Sequence, residues 1–429
     1  MEVAYNEKPV TDGERRQVLD ELLVTVIMAR VTDHFGFFVY AFASVLVFPQ
    51  VFFPEVSREM GILYSFMIFP LAFLVRPIAS QGFKYLERSI GRSGKITVAL
   101  VVLCASTMAI GLLPSYASVG ITAPVLLVLL RIGQGIGLGG SWDGLTLMLQ
   151  NNAPENRRGW YAMIPQLGAP IGMCVAVAIF YVLTGFLTEE EFVQWGWRWP
   201  FFAVLAVNVV SLFARLQLIH SDDHAVMKVD QEMKPSPFFE MLSVHWRDVL
   251  LATFLPLASY ALMHMVSVFP LAYAYLEAGQ PISEFLLLVL IGGAVFLPGV
   301  VLSGVLSDRF GRRRMLAVTS VLIGAYSFLI TNLFETGQAY LFIGFFLLGL
   351  SYGQASAILP NRFQKAYRYT GSALATNLSW IFGAAFAPLV AMSLTLEFGL
   401  ASAGYYLLSG ALVTLVALTV LHYRDKKTV

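Results

Sequence analysis

Arg30, Asp33 and His34 are the residues of this chain best placed to do chemistry, because they stand at i, i+3 and i+4 inside an apolar run covering residues 22–47. On a helix that spacing puts all three on one face, within reach of one another. A charged side chain at the middle of a bilayer costs at least about 2.5–3.5 kcal/mol, so such a cluster needs a reason. With a rise of about 1.5 Å per residue from Leu22, the three lie about 12–18 Å into the membrane. Arg131, in a second run covering 121–150, lies about 15 Å in from the far end of its helix by the same arithmetic. Two readings fit. In one, Asp33 or His34 takes up and releases a proton while Arg30 and Arg131 attract an anion or bias that proton, since hydration and neighbouring charge decide the protonation state of buried groups. In the other, Arg30 and Asp33 form an internal ion pair that lets the span insert, and His34 is a satisfied core histidine.

Further polar side chains inside apolar runs are candidate contacts for a small molecule. They are Tyr40, Gln134, Gln166, His264, Tyr352, Gln354, Asn377 and Trp380, of which the last two lie one helical turn apart. Each fits equally well as an interhelical hydrogen bond worth about 0.6 kcal/mol. Catalytic chemistry has little to build on. There is no metal-ligand cluster, no phosphate-cradling Gly-Lys-Ser loop, no nucleophile elbow and no loop long enough for a catalytic domain, which argues against an enzyme, an ATP-driven pump, a metal or any cofactor. Cys104 and Cys174 both fall in apolar runs and read as small core residues rather than a disulfide framework.

The elements that must position these residues are membrane helices. Of 429 residues, 57% are hydrophobic and 13% charged, the latter about half the soluble norm of roughly 25%. Apolar runs recur near 22–47, 60–83, 96–114, 121–150, 160–186 and 198–219, and again near 248–276, 284–306, 315–335, 339–360, 371–394 and 399–422. Twelve spans of about 20 residues define an all-α membrane protein. The expected divisions are a terminal segment 1–21, a six-helix bundle 22–219, a linker 220–247, a second bundle 248–422 and a tail 423–429. The polar stretch Met1–Arg16 lacks the apolar core of a cleaved signal peptide, so the first helix is expected to stay as an anchor.

Most of the 28 basic residues fall in the terminal segments and in alternate loops, those around Arg92, Arg157, Lys234, Arg312 and Lys365. The positive-inside rule then puts both termini in the cytoplasm, which agrees with an even number of spans. Trp195, Trp197 and Trp199 would form an aromatic belt at the outer interface. A net charge of +1 gives no reason to expect a nucleic-acid partner.

The two bundles look related. Gly91-Arg92 after the second span matches Gly311-Arg312 after the eighth, 220 residues on, and Ala169-Pro170 matches Ala387-Pro388 at nearly the same offset. A parallel duplication predicts such matches.

The stretch Gly304-Val-Leu-Ser-Asp308-Arg-Phe-Gly311-Arg-Arg-Arg resembles the loop signature of the major facilitator superfamily. Within that superfamily, Leu113-Pro-Ser-Tyr-Ala-Ser-Val-Gly-Ile-Thr-Ala-Pro124 leading to Arg131-Ile-Gly-Gln-Gly135, then Trp195-Gly-Trp-Arg-Trp-Pro-Phe-Phe202 and Arg368-Tyr-Thr-Gly-Ser-Ala-Leu-Ala-Thr-Asn377, resembles the metabolite:proton symporter family. The likeness covers about Phe37 to Leu394. It implies two pseudo-symmetric six-helix bundles and proton-coupled uptake of a small organic acid or zwitterionic metabolite by alternating access. The expected partners are substrate, proton and lipid bilayer, for a functional monomer in the inner membrane. An exporter or exchanger, or a membrane sensor that binds without translocating, are the alternatives. The resemblance also implies that Gly304, Asp308, Arg309, Gly311 and Arg312, with Arg76 and Arg88 from the first half, gate the cytoplasmic side. The loop can equally serve to orient the chain. Four positions depart from the family pattern: Gly36 replaces an aspartate, Ser141 a glutamate, and Lys84 and Arg88 stand where the first-half signature has Gly and Asp. For Lys84, Glu87, Arg88 and Arg92 the orienting role is favoured.

Overall fold

The computed structural model describes residues 12–141, 144–220, 235–277, 281–332 and 337–428. Among these residues every regular element is helical. Ten segments of the described residues are long and apolar enough to cross a bilayer, and one of them, Arg58–Gly111, runs for 54 residues through a reversal at Gly91 and so contains two spans. Gly337–Ala355 adds the twelfth.

In chain order, α1 is Asp12–Leu46, α2 is Arg58–Ile68 continued by 71–90, α3 is 92–111, α4 is Thr122–Gly140, α5 is Gly168–Phe186 and α6 is Trp199–His220. The second set is α7 (Phe238–Phe254, Leu257–Val266 and Val268–Glu277), α8 (Ile282–Phe310), α9 (Arg312–Tyr326), α10 (Gly337–Ala355), α11 (Arg368–Trp380 and Ala387–Phe398) and α12 (Ala401–Thr428). α1 starts ten residues before the expected span, and α7 starts inside the expected linker. Residues 221–234 of that linker, and residues 1–11, lie outside the described residues.

The duplication is visible in the backbone. Gly91 and Gly311 both take positive φ, 76° and 86°, at the turns from α2 to α3 and from α8 to α9. A residue with a Cβ is disfavoured there, which is why each Gly-Arg pair carries its glycine. α1 breaks at Val47 and α7 at Ser267, again 220 residues apart. A 3₁₀ turn, Ile164–Leu167, precedes Ala169-Pro170, and a π turn, Ile381–Ala385, precedes Ala387-Pro388. Proline cannot donate to the ladder, so irregular turns at these points leave fewer unmet backbone groups.

Small residues let the helices approach. A Cβ added at Gly135 of α4 would lie 2.6 Å from the Ala72 carbonyl oxygen, and one at Gly139 would lie 2.7 Å from that of Arg76, so α4 packs directly on the α2 backbone. Gly168 and Gly172 do the same for α5 against α1. The outer surface is apolar, with Ile78, Phe186 and Phe213 strongly exposed, as a lipid-facing surface requires. The two bundles meet along α5–α8 and α2–α11, with α1 against α7. One expectation fails: Trp197 is fully buried against Phe48, Phe52 and Phe201. Only Trp195 and Trp199 are exposed as a belt would need. The indole turned inward because the 3₁₀ turn Gly196–Arg198 rotates it toward the ring-filled gap beside α1.

Candidate functional site

Between the two bundles lies a cavity of about 70 Å³ lined by Arg30, Asp33, His34, Arg76, Arg131 and Gln134, with Trp380 and Thr376 facing them. The spacing read from the sequence does place the three α1 residues together. Arg30 Nη1 approaches Asp33 Oδ2 at 3.4 Å, and Arg30 Nη2 donates to Thr146 Oγ1 at 3.1 Å.

Asp33 has a second cation. Arg215 of α6, 1% exposed, stands 3.6 Å from Asp33 Oδ1 while donating to the Ser141 and Ala29 carbonyls. Arg215 is not among the residues expected from the sequence, although it too is a charge well inside an apolar run, as Arg131 is. Asp33 Oδ1 is buried without a hydrogen bond, so its charge rests on the two ion pairs.

His34 joins the halves. Its Nδ1 lies 2.8 Å from the Arg30 carbonyl and its Nε2 lies 2.8 Å from Tyr352 Oη of α10. A carbonyl only accepts, so Nδ1 carries the proton and, in the neutral ring, Nε2 accepts from the tyrosine. Beside it, Trp380 stacks on Phe73 at 5.9 Å and on Tyr260 at 4.8 Å. Phe37 closes the same wall, 5.6 Å from Trp380.

Arg131 touches the cavity but is held by structure. Its Nε and Nη2 donate to the Phe69 carbonyl, its Nη1 donates to Gln134 Oε1, and its guanidinium lies 3.8 Å from the centre of the Tyr40 ring. The Phe69 carbonyl sits at the Phe69-Pro70 break in α2, where the helical ladder leaves it without a partner. Gln134 Nε2 donates onward to Thr107. Tyr40 and Gln134 therefore serve Arg131, and Tyr40 does not reach the cavity.

Several other sequence candidates lie elsewhere. His264 is fully buried 5.4 Å from Phe37 and 5.3 Å from Phe69, without a hydrogen bond on either nitrogen. Gln166 donates to Ser356, and Gln354 to the Gly159 carbonyl, both between the bundles and outside the cavity. Asn377 lines a smaller pocket closer to the terminal face, the one where α1 starts and α12 ends. Thr376 and Trp380 hold the central position instead. Thr32, Phe37, Phe73, Thr107 and Asn208 also line it, with Gly36, Leu103, Leu138 and Val204, and none of the five carried an individual signal in the sequence.

On the terminal face, the second-half signature bridges the bundles. The Asp308 carboxylate accepts from Gly159 N at 2.6 Å and Trp160 N at 3.1 Å. Arg312 donates to the Ala357 and Arg158 carbonyls. Gly304 makes the close approach possible, because a Cβ there would lie 2.7 Å from Met163 Cγ. Gly311 supplies the turn, whereas Arg309 is exposed beside this cluster. From the first half, Arg76 lies in the central cavity rather than at this closure, since the α2 helix carries it a further three turns inward from Arg88. Arg88 faces an open groove. On the opposite face, Gln50 donates to Tyr275 Oη at 2.7 Å and the Arg58 guanidinium stacks 4.6 Å from the same ring. The bundles thus touch on both sides of the cavity.

Residues 100–380 match the family model described as Major Facilitator Superfamily. The chain is 37% identical over 417 residues, 94% of each protein, to the inner membrane metabolite transport protein YhjE of Escherichia coli. It is 30% identical to the shikimate transporter of E. coli, covering 92% of each, and 28% identical to the proline/betaine transporter of Salmonella typhimurium, covering 95% of this chain and 85% of the other. A solved D-xylose-proton symporter superposes with a TM-score of 0.69 at 16% identity, over 93% of this chain and 96% of that one. With this fold and these relatives, the chain belongs to the Major Facilitator Superfamily, and it is a multi-pass membrane transporter of metabolites and not an enzyme.

Proposed function

We propose that the chain is a proton-coupled symporter that takes up a small organic acid, or a zwitterion held by its carboxylate, through alternating access around the central cavity. One observation carries the reading. The described residues lining the cavity include three arginines, Arg30, Arg76 and Arg131, and one carboxylate, Asp33, so an anion entering it meets excess positive charge. The relatives that transport shikimate and proline or betaine handle carboxylate-bearing molecules, which supports the same reading.

In this scheme Asp33 is the proton carrier. When Asp33 takes a proton, Arg30 and Arg215 lose their counter-charge and the field in the cavity turns more positive, which favours the anion; release of the anion then favours loss of the proton. His34 reports the distance between the halves through Tyr352, and Trp380 with Phe37 and Phe73 supplies a flat apolar wall for the body of the substrate. Arg131 acts as a brace for α2. Asp308 and Arg312 hold the terminal face closed, and that face is the cytoplasmic one in an inner-membrane orientation.

Flux in proteoliposomes tests the proposal. An imposed inward proton gradient should drive accumulation of a labelled carboxylate above equilibrium. Counterflow without gradient-driven accumulation would replace symport by exchange, and binding without flux would replace transport by sensing.

A further inference from the structure

The departures of α2 from the family signature have a use of their own. Arg76, Ser80, Lys84 and Arg88 recur every fourth residue, so they form one stripe along α2 from the central cavity to the terminal face. Three cavities follow that stripe in sequence. Arg76 is shared by the central cavity and a pocket of about 40 Å³ that Ser80, Lys84 and Asn377 also line. Lys84 is shared in turn by that pocket and a groove of about 600 Å³, where Arg88 and Phe238 stand.

Lys84 Nζ is buried and has no hydrogen-bond partner, and the centre of the Phe238 ring lies 5.9 Å from it. The carboxylate in the pocket, Glu87, is already taken by Lys95 at 2.9 Å. A buried ammonium without an acceptor is costly, so its position favours an anion arriving from outside the protein. The contrast with the second half is direct. There the corresponding turn carries Asp308, which ties the bundles together, whereas the first half has the cation Arg88 facing its groove at that place.

We infer that Lys84, with Arg76 above it and Arg88 below, forms a second anion site between α2 and α11 through which the transported carboxylate passes on its way to the terminal face. This rests on the anionic reading of the central cavity. The stripe lowers the cost of leaving that cavity, because the anion moves from one cation to the next at spacings of about 6 Å, one helical turn, or two such turns.

Charged thiol reagents test this without knowledge of the substrate. In a background with Cys104 and Cys174 replaced by Ser, Ser80→Cys reports on the second site and Thr376→Cys on the central cavity. The rates of a sulfonate-bearing and a trimethylammonium-bearing methanethiosulfonate are compared in purified, monodisperse protein, each normalised to its rate with mercaptoethanol. The anionic reagent should be favoured at both positions, and Lys84→Gln with Arg88→Gln should lower that preference in the Ser80→Cys protein about tenfold while sparing the Thr376→Cys protein. Preference in the Thr376→Cys protein alone, or in the Ser80→Cys protein but insensitive to the Lys84 and Arg88 changes, would overturn the second site and leave the central reading standing. No preference at either position would overturn both. Repeating the Ser80→Cys measurement in nanodiscs of phosphatidylcholine with and without phosphatidylglycerol separates a transit site from a lipid headgroup site: a preference abolished by phosphatidylglycerol assigns the stripe to lipid and rejects transit.

Discussion

Replacing Asp308 by Asn should open the terminal face. In the closed structure its carboxylate accepts from Gly159 N at 2.6 Å and Trp160 N at 3.1 Å, two amides at the start of the helix leading into α5. Hydrogen bonds to a charged group contribute about 1.5–3 kcal/mol each. The carboxamide keeps one acceptor oxygen, turns an NH₂ toward the other amide and removes the charge. Asp308 is exposed, so screening reduces the loss to about 1–2 kcal/mol, which is about 5–30-fold in the ratio of closed to open molecules. Spin labels on cysteines introduced at Glu155 and Arg309, one on each bundle and both exposed, report that ratio as a distance distribution by double electron–electron resonance. The short-distance population should fall and a longer one grow by that factor. An unchanged distribution in a well-folded variant would show that the carboxylate does not hold the bundles together.

Arg131→Gln should cost about 2–4 kcal/mol of stability, because it strands the buried Phe69 carbonyl and breaks the Gln134 bond. Thermal unfolding of the purified protein measures this, and an unchanged midpoint combined with lost ligand binding would make Arg131 a substrate contact instead. Asp33→Asn should abolish gradient-driven accumulation while leaving counterflow, and wild-type accumulation would remove Asp33 from the coupling. Gly139→Leu should destabilise by about 1–3 kcal/mol through overpacking against the Arg76 carbonyl and Ala79, as read from the same melting experiment. Stability equal to wild type would mean that α4 and α2 have room to part.

The twelve spans and their duplication were legible because hydropathy and the Gly-Arg turns are local properties of the chain, and lipid leaves helices few alternatives. The Arg30–Asp33–His34 face was legible for the same reason, since helical spacing alone fixes it. Roles that depend on a partner from another helix were not. Arg131 read as a free cation because nothing in its own segment announces the Phe69 carbonyl, 62 residues away, that occupies it. Arg76 read as part of the gate because it precedes the loop signature, yet three turns of helix separate it from that loop. Trp197 read as an interface residue by type, and only packing against Phe48 and Phe52 makes it core. Arg215 carries the same sequence signal as Arg131, the insertion cost of an arginine inside an apolar run, but its partner Asp33 lies 182 residues away on α1.

Among the described residues, every ionisable side chain lining the central cavity comes from the first bundle, and the second offers Thr376 and Trp380. In the proposed scheme of two rocking bundles, a carboxylate in the cavity would therefore keep the same set of charges around it throughout the stroke. Within the cavity the contacts that part are then uncharged, the imidazole–phenol bond and the ring stack among them, while the charged contacts that must break, those of Asp308 and Arg312, stand at the terminal face beside water.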